Sequence, residues 1–376
     1  MKQFVYADNA ATTALDKEAF DAMVPYMLEN YGNPSQPYSF SRSAKIAIKE
    51  ARETIANCIG AYPDEIYFTS GGTESDNWAI CESLKINMDK KAVITSQIEH
   101  HAILRACQRI EAAGVPIAYL QCDKTGTITV DELKSVISPN TKLVSVMYAN
   151  NEIGTIEPIR ELCQIAHCSG ALFHTDAVQA VGHIEINVHE LGVDMLSASA
   201  HKFNGPKGVG FLYVRRGVNL PALIRGGEQE RGMRAGTENV ASITGMAVAL
   251  KNCCSRISTE RVRLLELEEK LITDLQDAGI DFLRNGSENH IPGNVSLSFK
   301  GCDGEALLHR MDLMGICIST GAACDTVKSK VSHVISAIKT PDEYAKGTIR
   351  ISLGLNNTLP DIDAIVKALK KIVLGT

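Results

Sequence analysis

The chain lacks the features that would make it a membrane, exported or nucleic-acid-binding protein. No window approaches the ~20 consecutive apolar residues that span a bilayer, which argues against an integral membrane protein. Residues 1–13 place Asp8 and Asn9 after a single lysine and contain no apolar stretch, so they do not read as an export signal. A cytoplasmic protein is therefore expected. Basic runs are also missing: 38 Lys and Arg are scattered against 44 Asp and Glu, for a net charge of -6. That balance argues against nucleic acid as a partner and suits a small anionic or zwitterionic substrate. The eleven cysteines contain no Cys-x-x-Cys, and their one adjacent pair is Cys253-Cys254. Neither a disulfide framework nor a zinc ribbon is predicted, and no other metal site; most cysteines are expected as small buried hydrophobes. No internal repeat or low-complexity linker separates the chain into loosely joined parts.

What is present is an alternation of two periodicities. At 376 residues the chain is long enough for about two domains. Ala44, Ala47, Ile48, Ala51, Ile55, Cys58 and Ile59 recur at helical spacing, after Ser41 and Ser43 as candidate caps and before a stop at Gly60. Strand-length apolar runs follow at 66–68, 92–94, 117–120, 143–147, 171–173, 195–198 and 209–214, with helical stretches such as 73–84 and 102–113 between them. This βα alternation predicts an α/β fold with a mostly parallel central sheet covered by helices on both faces. From about residue 260 the pattern changes. A charged amphipathic helix (Val262 to Leu275), strands at 295–299 and 348–353, and a final helix over 362–373 suit a smaller α+β domain. The expected division is a large domain of residues 15–260 and a small domain of residues 1–14 with 261–376.

In an open parallel sheet, ligands bind beyond the carboxyl ends of the strands. Five such junctions here carry unusual polar residues. Ser70-Gly71-Gly72-Thr73-Glu74 opens a helix, where a phosphate can meet backbone N–H groups. His100 and His101 follow the second run, Asn150-Asn151-Glu152 the fourth, and His174-Thr175-Asp176 with Gln179 the fifth. The sixth ends in Ser199-Ala200-His201-Lys202 before a glycine-rich turn. Singly, each has an ordinary structural explanation as a turn or cap. Jointly they would place a phosphate cradle, an imidazole, a carboxylate and an amine on one rim.

That set suits pyridoxal 5'-phosphate chemistry. The cofactor needs an amine for its aldehyde and a carboxylate to keep its pyridine nitrogen protonated, roles for which Lys202 and Asp176 are the candidates. Gln179 could donate to the ring oxygen. His100 could lie over the ring, with an imidazole expected to titrate near neutrality.

These segments, in this order, resemble the cysteine desulfurases of the NifS and IscS type, within the class V aminotransferase group of pyridoxal phosphate enzymes. The resemblance runs through Tyr6-Ala7-Asp8-Asn9-Ala10-Ala11-Thr12-Thr13, Tyr31-Gly32-Asn33-Pro34-Ser35, Ser70 to Ser75, Glu99-His100, Asn150 to Gly154, Asp176 to Gln179, His201-Lys202, Gly226 to Thr237, Gly321-Ala322-Ala323-Cys324 and Ile349 to Gly354. It implies the fold type I architecture and a homodimer with both sites at the subunit interface. It makes Lys202 the Schiff-base lysine, Asp176 the pyridinium partner, Gln179 the ring-oxygen donor and His100 the stacking acid/base. Gly72, Thr73, Ser199 and His201 would hold the phosphate, with Thr237 reaching in from the other subunit. Asn151 and Arg350 would bind the carboxylate of L-cysteine. Cys324, on a loop of the small domain, would take the sulfur as a persulfide and release alanine. The sulfur would then pass to an acceptor or scaffold protein serving iron–sulfur cluster, thio-cofactor or tRNA biosynthesis.

Read without the family, Cys324 lies in a stretch too small and polar for a core strand, with Lys328 and Lys330 favouring its thiolate and Asp325 opposing it. The chain departs from the family pattern twice, at Gln36 to Ser41 and at Asp325 to Lys330. These bear on substrate-side contacts and on the sulfur acceptor respectively. Three other readings share the scaffold: a selenocysteine lyase, a class V aminotransferase with no use for Cys324, and a catalytically silent dimeric scaffold.

Overall fold

The computed structural model describes residues 4–86, 89–320 and 331–375. A short strand β1 (Val5–Tyr6) precedes seven that build one sheet: β2 (Ile66–Thr69), β3 (Ala92–Ser96), β4 (Ile117–Leu120), β5 (Thr141–Ser145), β6 (Leu172–Asp176), β7 (Met195–Ser199) and β8 (Gly210–Val214). Their order is β2-β8-β7-β6-β5-β3-β4, and β8 runs antiparallel to both its neighbours, so the other six share one direction. Every residue of β5, β7 and β8 is buried, the pattern of strands covered on both faces. The α/β class and the mostly parallel sheet expected from the alternation are those of the structure.

Most strand boundaries shift by one to three residues from those expected, and two of the shifts have a physical reason in the side chains. The fifth run extends through His174 and Thr175 to Asp176: all three side chains are buried, the His174 ring being bonded within the sheet by Ser145 and Ser197. β5 begins at Thr141, two residues before the apolar run. Lys142 is tolerated within it because its amine donates to the Ile86 carbonyl at 2.9 Å.

The helix Arg42–Ile59 buries the face read from the sequence, including Ala44, Ala47, Ile48, Ala51 and Ile55. It ends at Gly60 with φ +68°, where an added Cβ would lie 2.7 Å from Asn187 Oδ1. Ser41 does occupy the N-cap position, but it makes no cap bond. A 3₁₀ turn (Ser39–Ser41) runs directly into the helix and leaves its hydroxyl buried and unpaired.

The largest departure is the helix Val240–Asp277, which the sequence reading started at Val262. Asn239 caps it by accepting from the Ser242 N–H at 3.2 Å. Its first half packs Ile243, Met246, Ala247 and Leu250 into the core beneath the large sheet. Its second half packs Leu264, Leu267, Leu271 and Leu275 into a second core. The polar stretch between these halves hides the continuity. The second core is covered by an antiparallel sheet of order β12-β10-β9, made of β9 (Phe282–Asn285), β10 (Asn294–Phe299) and β12 (Thr348–Ser352). The N-terminal strand β1 joins this part by pairing in parallel with β11 (Ile316–Cys317). Among the described residues no helix is long and apolar enough to cross a membrane.

Candidate active site

The five loaded junctions do meet at one rim. A cavity of about 250 Å³ opens there, lined by Gly72, Thr73, His100, Asn151 and Asp176, together with Gln179, Ser199, His201, Lys202 and Arg350. Ten of the twelve residues singled out in the sequence thus share one space. Thr237 does not: it is exposed and lines a separate surface hollow with Ser70, Glu230 and Arg234. Cys324 lies outside the described residues.

Local folding explains each placement. β7 ends at Ser199, and the following 3₁₀ turn (Ala200–Lys202) swings Lys202 over the sheet edge. Lys202 Nζ donates to the carbonyls of Ala10 at 2.6 Å and Ala11 at 2.9 Å. Gln179 Nε2 also donates to the Ala10 carbonyl, at 3.0 Å. The N-terminal segment therefore closes one wall of the cavity, which the motif Ala10-Ala11 alone does not announce.

The helix Gly72–Ser83 points its N-terminus at the cavity, and no side chain caps it. Gly71 has φ +146°, and a Cβ on Gly72 would lie 2.6 Å from Val178 Cγ2, so both positions require glycine. The outcome is an anion-sized recess of first-turn N–H groups beside Thr73 and Ser199.

Asp176 is buried at the end of β6 and accepts from the Val178 N–H at 2.9 Å. Burial pushes its carboxyl up to about 6, against the pull of that bond and of the Lys202 ammonium. Two further buried carboxyls lie close by. Asp76 is raised well above the usual range, by burial first and then by Asp176, while Ser197 hydrogen-bonds to it. Glu99 is pushed up to about 8 by burial, although Ser96 Oγ and the Met147 N–H both bond to it. Beneath them the His174 ring is held between Ser145 Oγ and Ser197 Oγ, each at 2.9 Å, and burial keeps it neutral.

His100 corrects one expectation. Its Nδ1 accepts the Ala102 N–H at 3.1 Å as the N-cap of the helix His101–Ala112, so the neutral ring carries its hydrogen on Nε2. It does not titrate near neutrality. Burial, then the Lys202 ammonium, then His101 and His333 push it down to about 4. His201 is likewise lowered to about 4 by burial and Lys202.

Arg350, on β12, is buried with its Nη2 on Asp8 Oδ1 at 2.6 Å and its Nη1 on the Asn151 carbonyl at 2.8 Å. These are the partners that an arginine inside a strand requires, and its Nε has none. The sequence reading missed Asp76, Glu99 as a group in its own right, and His333, which lines the cavity and stacks its ring centroid 5.1 Å from that of His101. Glu230 lies within the glycine-rich segment Gly226 to Thr237. It is buried, takes a bidentate pair from Arg52 at 2.7 Å, and holds the loop in a left-handed turn with φ +49° at Glu230 and +61° at Arg231. Asp76 sits on a helix that looks solvated in sequence, and His333 follows a polar stretch of sequence. Neither carries a periodic signal.

A Lys-tipped strand, a buried carboxylate and an uncapped helix N-terminus at the rim of this sheet define the scaffold of the class V aminotransferases, and the chain belongs to that family, whose model ("Aminotransferase class-V") matches residues 5–365. Within it, the chain is similar to the cysteine desulfurase IscS of Dictyoglomus turgidum, at 49% identity over 99% of this chain and 95% of the relative. It is 41% identical to the cysteine desulfurase NifS of Azotobacter vinelandii, over 98% of this chain and 92% of that one. Among solved structures it matches a NifS-like protein with a TM-score of 0.93 at 36% identity, covering all of both chains. It also matches SspA in complex with cysteine, with a TM-score of 0.82 at 36% identity over 93% of this chain and 98% of that one.

Proposed function

We propose that this chain is a pyridoxal phosphate-dependent cysteine desulfurase that converts L-cysteine to L-alanine and passes the sulfur to Cys324 as a persulfide. The observation that carries this reading is the meeting of Lys202, buried Asp176 and the uncapped helix N-terminus in one cavity, in a chain similar to cysteine desulfurases along nearly its whole length.

The residues fit the cofactor. Asp176, raised by burial, is a carboxylate in need of a charged N–H partner. The Gly71-Gly72 turn leaves a recess that a Cβ would disturb, with hydroxyls beside helix N–H groups for a phosphate. Lys202 would hold the cofactor covalently, and Asp176 would face the pyridine nitrogen. Gln179 would face the ring oxygen and His100 would stack on the ring. Thr73, Ser199, His201 and the Gly72 backbone would hold the phosphate, with Thr237 from a second copy of the chain. Bound there, the cofactor supplies an electron sink for charge developing at the substrate's α-carbon.

The chain's own groups do the rest. Arg350 and Asn151 bind the substrate carboxylate, Arg350 offering its unpaired Nε while Asp8 fixes its orientation. Lys202 Nζ moves the proton of the α-carbon. His100 stays neutral and presents Nε2–H as a donor, because its Nδ1 is committed to the helix N-terminus. The Cys324 sulfur forms a bond to the substrate's sulfur as the C–S bond breaks. Cysteine and one enzyme thiol thus become alanine and one persulfide, with no external oxidant. Thr237, exposed and outside the cavity of its own chain, supports a homodimer with shared sites. The two hydrophobic cores support domains of residues 15–260 and of residues 1–14 with 261–376, joined by the helix Val240–Asp277. A cytoplasmic setting and a protein acceptor for the sulfur complete the proposal.

The test is alanine release from L-cysteine by wild type and Cys324→Ser, with mass spectrometry of the wild-type Cys324 peptide. The variant should bind the cofactor normally, lose nearly all alanine release, and keep much more activity toward L-selenocysteine, whose selenium leaves more readily. Normal cysteine turnover in the variant, or a persulfide on another cysteine alone, overturns the assignment.

A further inference from the structure

Two cysteines that are far apart in sequence face one another in the fold. Cys58 lies in the last turn of the helix Arg42–Ile59, and Cys254 lies 196 residues later on the helix Val240–Asp277, which packs against it. Cys254 Sγ comes within 4.0 Å of the Cys58 carbonyl oxygen, and both cysteines line the same groove. Both are half-buried and open onto one surface groove of about 500 Å³, with Lys251 and Glu185 on its walls. None of the groove's residues lines the catalytic cavity.

The neighbouring cysteine shows that this is not general thiol crowding. Cys253, about 100° further round the same helix, turns inward, donates to the Phe203 carbonyl at 3.3 Å, and is pushed up to about 11 by burial. Buried Cys107 and Cys163 are pushed up to about 12 for the same reason. Cys58 moves the other way. The hydrogen bond from Cys254, and after it the Lys251 ammonium, outweigh burial and hold it below the usual thiol range. Glu185 also faces the groove, and Cys58 sits at the C-terminal end of its helix, where the dipole disfavours an anion. Cys254 is raised and stays protonated. One thiol is thus primed as a nucleophile and a second stands beside it as a resolving partner.

We propose that Cys58 and Cys254 form a redox modification site that closes to an intramolecular disulfide when the enzyme meets a hydroperoxide. The Cys58 thiolate attacks a peroxide oxygen, the O–O bond breaks, and water or an alcohol leaves with Cys58 oxidised to the sulfenic acid. Cys254 Sγ then attacks the Cys58 sulfur. The S–S bond forms, the S–O bond breaks, and the thiol proton departs with the hydroxide as water. Two thiols are oxidised and one hydroperoxide is reduced, and a dithiol reductant reverses the change. The bond would tie the helix Arg42–Ile59 to the helix that bridges both cores.

The experiment exposes the full-length holoenzyme to hydrogen peroxide without substrate, blocks remaining thiols under denaturing conditions, and maps the peptides by mass spectrometry. The expected result is a Cys58–Cys254 linked peptide with both thiols lost to alkylation and restored by dithiothreitol. Cys58→Ser should abolish the link and leave Cys254 alkylatable. Cys254→Ser should drive Cys58 on to sulfinic and sulfonic acids. Cysteine turnover measured after reduction should be unchanged in both variants. The proposal fails if wild-type Cys58 overoxidises while Cys254 stays free, or if Cys254 links to Cys253. It also fails if neither thiol reacts at peroxide levels that consume the exposed Cys168. The wild-type map decides the matter even if a variant folds poorly.

Discussion

Replacing Glu99 by glutamine should make the protein's stability less sensitive to alkali. Glu99 Oε1 accepts from Ser96 Oγ at 2.6 Å and from the Met147 N–H at 2.9 Å, while Oε2 is buried with no partner. Burial outweighs both bonds and pushes the carboxyl from its usual 4.5 to about 8. In the unfolded chain it ionises at the lower value, so between the two the folded state holds more protons. Its contribution to stability is therefore fully present below about 4.5 and is lost as pH rises through about 8. Each pH unit across that window costs up to about 1.4 kcal/mol, a ceiling of roughly 5 kcal/mol. Local relaxation and water entry bring the expected loss to about 2 kcal/mol. Glu99→Gln retains the acceptor oxygen and cannot ionise. Its unfolding midpoint in scanning calorimetry should match wild type near pH 5 and exceed it by about 2–3 °C near pH 9, since at roughly 2.1 cal/mol/K per residue about 1 kcal/mol moves the midpoint of a chain this long by little more than a degree. An offset between the two proteins that stays constant with pH would refute the buried-acid account.

Lys202→Ala should lose turnover by at least about 10²–10⁴-fold, the usual worth of a positioned proton carrier, and borohydride should no longer fix the cofactor to the chain; a reduced adduct mapped to another lysine would overturn the assignment. Gly72→Ala puts a Cβ 2.6 Å from Val178 Cγ2, so at an overpacking cost of about 1–3 kcal/mol cofactor affinity by absorbance titration should fall tenfold or more, and unchanged affinity would remove the phosphate recess from the proposal. Mixing Lys202→Ala with Thr237→Ala protein should give heterodimers more active than either parent, since one of their two sites is intact; no gain after confirmed subunit exchange would place the Thr237 contact within one chain or nowhere.

Much of this architecture was legible in the sequence because parallel strands buried on both faces leave continuous apolar runs, and because ligand-binding residues cluster where those runs stop. The rule fails where polar residues are themselves buried. His174, Thr175 and Asp176 read as a loop, yet they complete β6, since Ser145 and Ser197 satisfy the imidazole within the sheet. The helix Val240–Asp277 was read as half its length because the residues between its two apolar faces cross from one core to the other with little burial. The Cys58–Cys254 contact joins residues whose spacing has no local meaning. Nine of the ten site residues were found together because they sit at or just beyond strand ends, whereas Arg350 lies in the middle of β12 and was pointed to by the resemblance. Asp76 and His333 escaped because tertiary packing alone turns them toward the cavity.

The Lys202 ammonium is the electrostatic hub of that cavity. It lowers His100 and His201 and draws Asp176 down, in each case after burial as the larger cause. Its amine donates to the Ala10 and Ala11 carbonyls, which hold it where its field reaches both imidazoles. Any event that removes this positive charge while leaving the cavity dry raises all three groups together: both imidazoles become easier to protonate, and Asp176 becomes harder to ionise unless a new cation faces it. Were pyridoxal phosphate held by Lys202, its protonated ring nitrogen would supply that cation to Asp176. The buried carboxyls beside it, Asp76 and Glu99, are held in their acid forms and so do not compete for it. Of the three buried carboxyls, Asp176, raised only to about 6, is the readily ionised one and would face the ring nitrogen of a bound cofactor.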